Sequence, residues 1–148
     1  MQYLVVFRHG EFSGADLTTK GKSDIGRLTD RLQRLIPRLT SVRVISSPAP
    51  RALQSALVLC QILGTSIFQV SSEFLEEHSS STDARRAQRF IIGVGHTTDI
   101  VIVATHLTYT SAITKAYAQK FGHDSEFIPK MGQGALIDIV AETITILN

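Results

Sequence analysis

Two arginines and two histidines in the chain have side chains suited to phosphate chemistry: Arg8, His9, Arg51 and His106. An arginine guanidinium presents a planar pair of N–H donors that matches two phosphate oxygens, and it keeps its charge at neutral pH. A neutral imidazole carries a lone pair that makes it a competent nucleophile. If the fold brings these four side chains together, we expect a site that binds or transfers a phosphoryl group.

Each of these side chains follows a mostly apolar run that predicts a strand. The runs span residues 3–7, 42–45 and 99–104; Arg8-His9 follows the first, Ser46–Arg51 the second and Thr105-His106 the third. Ligands of open α/β sheets bind beyond the carboxyl ends of the strands, so we expect the four side chains to face one crevice. A helix predicted to begin near Pro50 would add backbone N–H groups there.

The rest of the chain alternates between predicted helices and strands. The predicted segments are a polar loop over 12–17, a helix capped by Thr18 and ended near Pro37, a helix over 50–63 closed by Gly64, a strand over 66–74, a polar loop over 75–83, a helix over 84–92 ended by Gly93 and Gly95, a helix over 109–121, and strands over 135–140 and 143–147. This pattern predicts a three-layer α/β/α fold with a mainly parallel central sheet. The length predicts one domain covering residues 1–148.

Composition and charge narrow the class of protein. Of the 148 residues, 43% are hydrophobic and 19% are charged, and the net charge is +2. A charge this small does not favour a nucleic-acid partner, and no apolar stretch reaches the roughly 18 residues of a membrane-spanning helix. The first apolar run stops at Arg8 without a basic segment before it, so we expect no targeting segment. With Cys60 as the single cysteine, an internal disulfide cannot form. We therefore expect a cytoplasmic protein without membrane or nucleic-acid partners.

The motifs around the four candidate residues resemble those of the histidine phosphatase superfamily, also called the phosphoglycerate mutase-like superfamily. The matching blocks, in the order that the family has them, are Arg8-His9-Gly10-Glu11, Leu17-Thr18-x-x-Gly21, Ser46-Ser47-Pro48-x-x-Arg51 with the flanking residues 44–56, Leu75-x-Glu77, and residues 102–106 ending in His106. The resemblance implies a phosphoglycerate mutase-like fold and a phosphatase activity.

The resemblance also implies roles for the site residues. His9 would attack phosphorus in line and form a phosphohistidine, while Arg8, Arg51 and His106 would hold the three non-bridging oxygens. Such contacts stabilise the charge of a loose transition state, so the catalysis is mostly positioning and electrostatics. The arginines supply the positive charge that a metal ion supplies elsewhere, and the resemblance implies neither a metal nor another cofactor.

The proton donor is the least defined of these residues. The resemblance places Glu77 as the carboxylic acid that protonates the leaving group and then activates water, which completes a catalytic set of His9, Glu77 and His106. Glu76 is the alternative, since the downstream residues of this block depart from the family pattern. A solvated loop without either role is the third interpretation.

Within the superfamily, the chain most resembles the small bacterial phosphohistidine phosphatases. The first motif continues as Glu11-Phe12-Ser13-Gly14, the chain lacks tryptophan, and its shortness leaves no room for a sugar-phosphate insertion, which argues against a mutase. The expected partner is a phosphorylated protein. The alternatives are a small phosphorylated metabolite as substrate of a phosphomonoesterase, or a module that binds phosphate or a phosphoprotein without turnover. The sequence does not indicate an oligomeric state.

Two further features have ordinary structural interpretations. Arg85, Arg86 and Arg89 form a basic cluster that we interpret as a solvated helix face, with docking of an acidic partner as the alternative. Cys60 falls on an apolar helical face, so we expect it in the core.

Overall fold

A six-stranded sheet lies at the centre of this computed structural model, which describes residues 1–76 and 80–148, and helices cover both faces of the sheet. The strands of these residues are β1 (Tyr3–Arg8), β2 (Phe12–Ser13), β3 (Asp16–Leu17), β4 (Val42–Ser46), β5 (Ile67–Val70), β6 (Ile100–Thr105), β7 (Gly134–Asp138) and β8 (Thr143–Leu147). The helices are α1 (Thr19–Leu35), α2 (Pro50–Leu63), α3 (Ser81–Gly95) and α4 (Leu107–Lys120). The predicted three-layer α/β/α fold is confirmed.

The strand order of the central sheet is β5-β4-β6-β1-β7-β8. The first four of these strands are parallel, whereas β7 is antiparallel to β1 and β8 is antiparallel to β7. Arg8 pairs with Thr105, and Ser46 pairs with Ala104. The carboxyl ends of β1, β4 and β6 therefore lie level at one edge of the sheet, where the candidate residues follow.

Two hydrophobic cores, one on each face, fix the position of β1. Val5 and Phe7 pack on the face covered by α1 and α2, whereas Leu4 and Val6 pack on the face covered by α3 and α4. All four side chains are fully buried. Burial on both faces explains the continuous apolar run of this strand. Cys60 lies in the first of the two cores, as expected.

The predicted strand over 66–74 is too long. The structure has a strand only over Ile67–Val70, and a 3₁₀ turn follows at Ser72–Phe74. Strand β5 is the edge of the sheet and pairs with β4 alone, so little holds its end in register. The turn then carries Phe74 into the second core, where it is fully buried.

The helix predicted over 84–92 continues through Gly93 to Gly95. Both glycines lack the positive φ that ends a helix, and the extra turn buries Val94 in the second core. The gain from burying an apolar side chain exceeds the modest cost of glycine within a helix. The predicted start of the last helix is also corrected, from residue 109 to Leu107, and β7 ends at Asp138 before its predicted end.

The polar loop predicted over 12–17 contains a short hairpin formed by β2 and β3. Gly14, with a φ of 60°, provides the turn. The side chain of Gln54 on α2 holds the hairpin by accepting from the backbone N–H of Leu17 at 2.8 Å and donating to Asp16 at 2.9 Å. The hairpin is thereby fixed next to the end of β1.

Among the described residues, every helix is too short or too polar to cross a membrane.

Candidate active site

The backbone of Arg8 and His9 is held on both sides where β1 ends. The His9 N–H donates to the carbonyl oxygen of Thr105 at 3.0 Å, and the Gly132 N–H donates to the His9 carbonyl at 2.9 Å. The Arg8 N–H donates to the carbonyl oxygen of Gln133 at 2.9 Å. The end of β1 is therefore fixed between β6 and the segment that leads into β7.

A close contact between two glycines turns the chain away after His9. A Cβ atom added to Gly10 would lie 2.8 Å from the carbonyl oxygen of Gly21, and one added to Gly21 would lie 2.1 Å from the carbonyl oxygen of Glu11. Ser55 on α2 adds a further constraint by accepting from the Gly10 N–H at 3.0 Å. Backbone lies against backbone here, so both sequence blocks require glycine at these positions.

The ring of His9 is neutral and presents one nitrogen to the site. Its Nδ1–H donates to the Gly10 carbonyl oxygen at 2.9 Å, which leaves the lone pair on Nε2. The Nε–H of Arg51 donates to this lone pair at 3.2 Å. Burial lowers the pKa of His9 below the usual value, the Gly10 carbonyl opposes this effect, and the charges of Arg51 and Arg8 add to the lowering.

Arg51 lies in the first turn of α2, directly after Pro50 at the helix start. Its guanidinium lies 5.0 Å from the centre of the Phe12 ring and forms an ion pair with Glu76, with 3.5 Å between Nη2 and Oε2. Phe12 also contacts the ring of His9 edge to face, at 5.3 Å between centroids. The hairpin thus supports the orientation of both His9 and Arg51.

Arg8 points one end of its guanidinium at the loop before β7. Its Nη1 donates to the carbonyl oxygen of Pro129 at 3.2 Å. Its Nε is buried and has no hydrogen-bond partner within residues 1–76 and 80–148. A buried donor without a partner is costly, so this atom is ready to bind an acceptor that enters the site.

His106 is fully buried at the start of α4, where it is the N-terminal capping residue. Its ring lies 5.3 Å from that of His9, and its Nε2 is 2.9 Å from the Oγ of Ser47. Burial lowers the pKa of His106 to about 4, and repulsion by His9, Arg51 and Arg8 contributes. The Nδ1 atom of this ring is buried and has no partner in the described part of the chain.

A cleft of about 420 Å³ lies at this edge of the sheet. Its walls are Ala49, Arg51, Leu75, Glu76 and His106. Two guanidinium groups and two neutral imidazoles meet beside this cleft, and two of their nitrogen atoms are buried without a partner among residues 1–76 and 80–148. Such a set suits an anion with several oxygens around a central atom, which is the chemistry of a phosphoryl group.

The four residues predicted to face one crevice, Arg8, His9, Arg51 and His106, lie together at the sheet edge. Glu76 joins them through Arg51. Glu77 lies outside the described residues.

Three groups at the site were not predicted from the sequence: the Phe12 ring, the Ser47 hydroxyl and the Pro129 carbonyl. Ser47 belongs to the Ser-Ser-Pro block, and Phe12 directly follows the first motif. Their positions next to candidate residues could therefore have indicated that they lie at the site. No sequence pattern marks Pro129.

The chain matches no protein-family model and no curated protein. It does match solved structures over nearly its whole length. A candidate α-ribazole-5'-P phosphatase from Escherichia coli has a TM-score of 0.62 at 18% identity, covering 99% of this chain and 96% of that one. The product of open reading frame Rv3214 from Mycobacterium tuberculosis has a TM-score of 0.67 at 14% identity, with coverages of 99% and 96%. A candidate phosphohistidine phosphatase, SixA, from Agrobacterium tumefaciens has a TM-score of 0.66 at 14% identity, with coverages of 99% and 95%.

These likenesses define the class of fold. The chain has the phosphoglycerate mutase-like α/β fold of histidine phosphatase superfamily structures, as its sequence motifs predicted.

Proposed function

We propose that the chain is a metal-independent phosphatase of the histidine phosphatase superfamily that forms a phosphohistidine on His9. The observation that carries the proposal is the pairing of a neutral His9, through its free Nε2, with the guanidinium of Arg51 at 3.2 Å. This pairing combines a nucleophile with a phosphate-binding group at the carboxyl edge of a phosphoglycerate mutase-like sheet.

In the first step, Nε2 of His9 attacks phosphorus in line, and the bond from phosphorus to the leaving group breaks. Donation of Nδ1–H to the Gly10 carbonyl keeps the ring in the tautomer with its lone pair on Nε2. Arg51 occupies that lone pair in the free protein, and an entering phosphoryl group would take over its N–H donors. Water then attacks the phosphohistidine, which releases inorganic phosphate and restores His9.

Arg8, Arg51 and His106 would hold the three non-bridging oxygens during both steps. The buried Nε of Arg8 and the buried Nδ1 of His106 gain a partner when an oxygen enters. Preorganised donors of this kind are worth about 3 kcal/mol each in other enzymes. The two arginines also supply the positive charge, so the proposal requires no metal ion.

The leaving group needs a proton unless it is a good leaving group already. Glu77 is the residue that we propose for this role, with Glu76 as the alternative. Support for Glu76 comes from its ion pair with Arg51 at the wall of the cleft, and its side chain is about half exposed. Comparison of Glu76→Gln and Glu77→Gln for loss of activity toward alkyl phosphates would distinguish the two.

Incubation with p-nitrophenyl phosphate in the presence of a chelator tests the proposal. The wild-type protein should hydrolyse this substrate, and His9→Ala should not. His96→Ala, which removes an exposed histidine outside the site, should retain full activity. With a substrate that carries a labelled phosphoryl group, the label should form an adduct on the protein that is stable to alkali and labile to acid. The adduct should map to His9. Equal activity of wild type and His9→Ala would overturn the proposal.

For the substrate, we propose phosphohistidine on a protein. Glu76, which is about half exposed, and Arg51 line the cleft, so both side chains are accessible to a phosphoryl group presented on a macromolecule. The likeness to the SixA structure supports this substrate, and the likeness to the α-ribazole-5'-P phosphatase structure favours a small phosphorylated metabolite as the second candidate. Turnover of a phosphohistidine protein compared with sugar and nucleoside phosphates would decide between them. Phosphate binding without turnover of any substrate would instead indicate a binding module.

A further inference from the structure

The hydroxyl group of Ser47 holds the second histidine of the site, although the proposed reaction gives it no role. Ser47 is fully buried at the carboxyl end of β4, and its Oγ lies 2.9 Å from Nε2 of His106. The backbone N–H of Ala49 donates to the same oxygen at 3.3 Å. The hydroxyl thus lies between the start of α2 and the ring of His106.

The hydrogen bonds of Ser47 favour one of the two neutral tautomers of His106. A serine hydroxyl has one proton to donate and accepts through its lone pairs. With Ala49 N–H occupying a lone pair, the hydroxyl proton is satisfied if it is donated to Nε2 of His106. The opposite arrangement, in which Nε2–H donates, would leave the serine proton unused and a bare lone pair buried on Nδ1.

The neutral state of His106 makes this choice decisive. Burial and the neighbouring positive charges keep the ring neutral at pH 7, so it carries a single N–H. With Nε2 bound to Ser47, Nδ1 is the nitrogen that remains for a ligand, and it is buried without a partner among the described residues. A phosphoryl oxygen needs a donor there, which only the Nδ1–H tautomer provides.

We propose that Ser47 is a positioning residue that fixes His106 as the Nδ1–H tautomer, so that a neutral imidazole donates a hydrogen bond to a phosphoryl oxygen. This inference rests on the proposed function for the identity of the ligand. The tautomer itself does not depend on activity.

The tautomer can be measured directly in the intact protein. Long-range ¹H–¹⁵N correlation spectra of the protein labelled with ¹⁵N-histidine distinguish the two tautomers of His106 at pH 7. The wild type should show the Nδ1–H form. Ser47→Ala should shift His106 toward the Nε2–H form or a mixture, whereas Ser47→Thr, which keeps the hydroxyl, should retain the wild-type pattern.

Ser46 offers a matched control. It is equally buried and adjacent, but its hydroxyl donates to the Ser47 carbonyl oxygen at 2.8 Å. Ser46→Ala should therefore leave the His106 tautomer unchanged. An Nε2–H or doubly protonated His106 in the wild-type spectrum would overturn the inference even if no Ser47 variant folds. An unchanged tautomer in Ser47→Ala would overturn it as well.

Kinetics provide the second measurement. Ser47→Ala should lower kcat for p-nitrophenyl phosphate by about 10- to 100-fold, by analogy with the loss when a partner that orients a metal-ligating histidine is removed, and Ser47→Thr should restore most of it. An unchanged kcat in Ser47→Ala contradicts the positioning role. A wild-type protein that shows the Nδ1–H tautomer but no turnover would reject the proposed function and leave the tautomer assignment intact.

Discussion

At the scale of single residues, the most strongly perturbed group of the site is His106. Its ring is fully buried beside another imidazole and near two guanidinium groups, and these surroundings hold its pKa at about 4. An unfolded histidine titrates near 6.5. The proton affinity of this one side chain therefore couples the stability of the protein to pH.

The sign of this coupling gives a prediction. Between about pH 6.5 and pH 4 the unfolded chain binds a proton at His106 that the folded chain does not, so the free energy of unfolding falls as the pH is lowered through this window. Between pH 7 and pH 4.5, we expect the wild type to lose about 2 kcal/mol more than His106→Gln, at roughly 1.4 kcal/mol per pH unit. Urea denaturation at both pH values measures this difference. Parallel pH dependence in the two proteins would show that His106 is not held neutral.

At the scale of elements, the site depends on how α1 meets the end of β1. Thr18 caps the helix by accepting from the Gly21 N–H at 3.0 Å, and Gly21 then packs against the backbone of Gly10 and Glu11. The first turn of α1 thus forms the support beneath the residue that follows His9.

Substitution of Gly21 by Ala should break this support. The new methyl group would lie 2.1 Å from the carbonyl oxygen of Glu11, so the helix and the strand end must separate. We expect a loss of about 3 kcal/mol in the free energy of unfolding, at the upper end for overpacking, together with a fall in phosphatase activity as His9 moves. Chemical denaturation and p-nitrophenyl phosphate kinetics measure the two effects.

Gly26→Ala is the matched control on the same helix. A Cβ atom at Gly26 would meet only the Cδ1 of Ile62, at 4.0 Å. This variant should be neutral, or more stable by up to about 1 kcal/mol because alanine favours the helix. Equal stability of the two variants would mean that the glycine contact does not constrain the site.

The elements also show which parts of the fold the sequence could predict. β1 and β6 are apolar runs buried on both faces, so local composition identifies them, and in β4 the apolar residues Val42, Val44 and Ile45 mark the strand. β5 was predicted too long because an edge strand ends where its one partner ends, and local composition does not contain that information. Gly93 was predicted to end α3, but the helix continues to Gly95 because the extra turn buries Val94 in the second core.

The same distinction applies to the site. The common location of Arg8, His9, Arg51 and His106 was predictable because each lies at or shortly after the end of a strand. The contacts of Ser47 with His106 and of Arg8 with Pro129 join residues 59 and 121 positions apart, and only the folded chain brings them together.

At the scale of the whole molecule, the site should couple ligand binding to global stability. A ligand that binds only the folded state stabilises it by about 2.7 kcal/mol at a concentration a hundredfold above the dissociation constant. For a chain of this length, that corresponds to an increase in Tm of roughly 5–10 °C. We therefore expect inorganic phosphate to raise the Tm more than sodium chloride of matched ionic strength does.

Arg51→Ala should remove most of this increase, since it deletes one of the two guanidinium groups. Arg34→Ala is the control, because Arg34 is an exposed arginine in the last turn of α1, outside the site. Thermal unfolding in a phosphate series measures all three proteins. The same phosphate-dependent increase in wild type and Arg51→Ala would place the anion elsewhere.

The place of β1 in the sheet has a consequence for how the chain reaches its active form. β1 is synthesised first, yet its neighbours β6 and β7 begin only at Ile100 and Gly134. During translation, residues 3–7 stay unpaired until both partner strands have been synthesised. Their exposed backbone N–H and C=O groups can meanwhile pair with other nascent chains. Pairing across such sequence separations slows folding. A ribosome-bound chain that stops short of Gly134 therefore contains all four candidate residues but cannot complete the strand pairing that fixes Arg8 and His9.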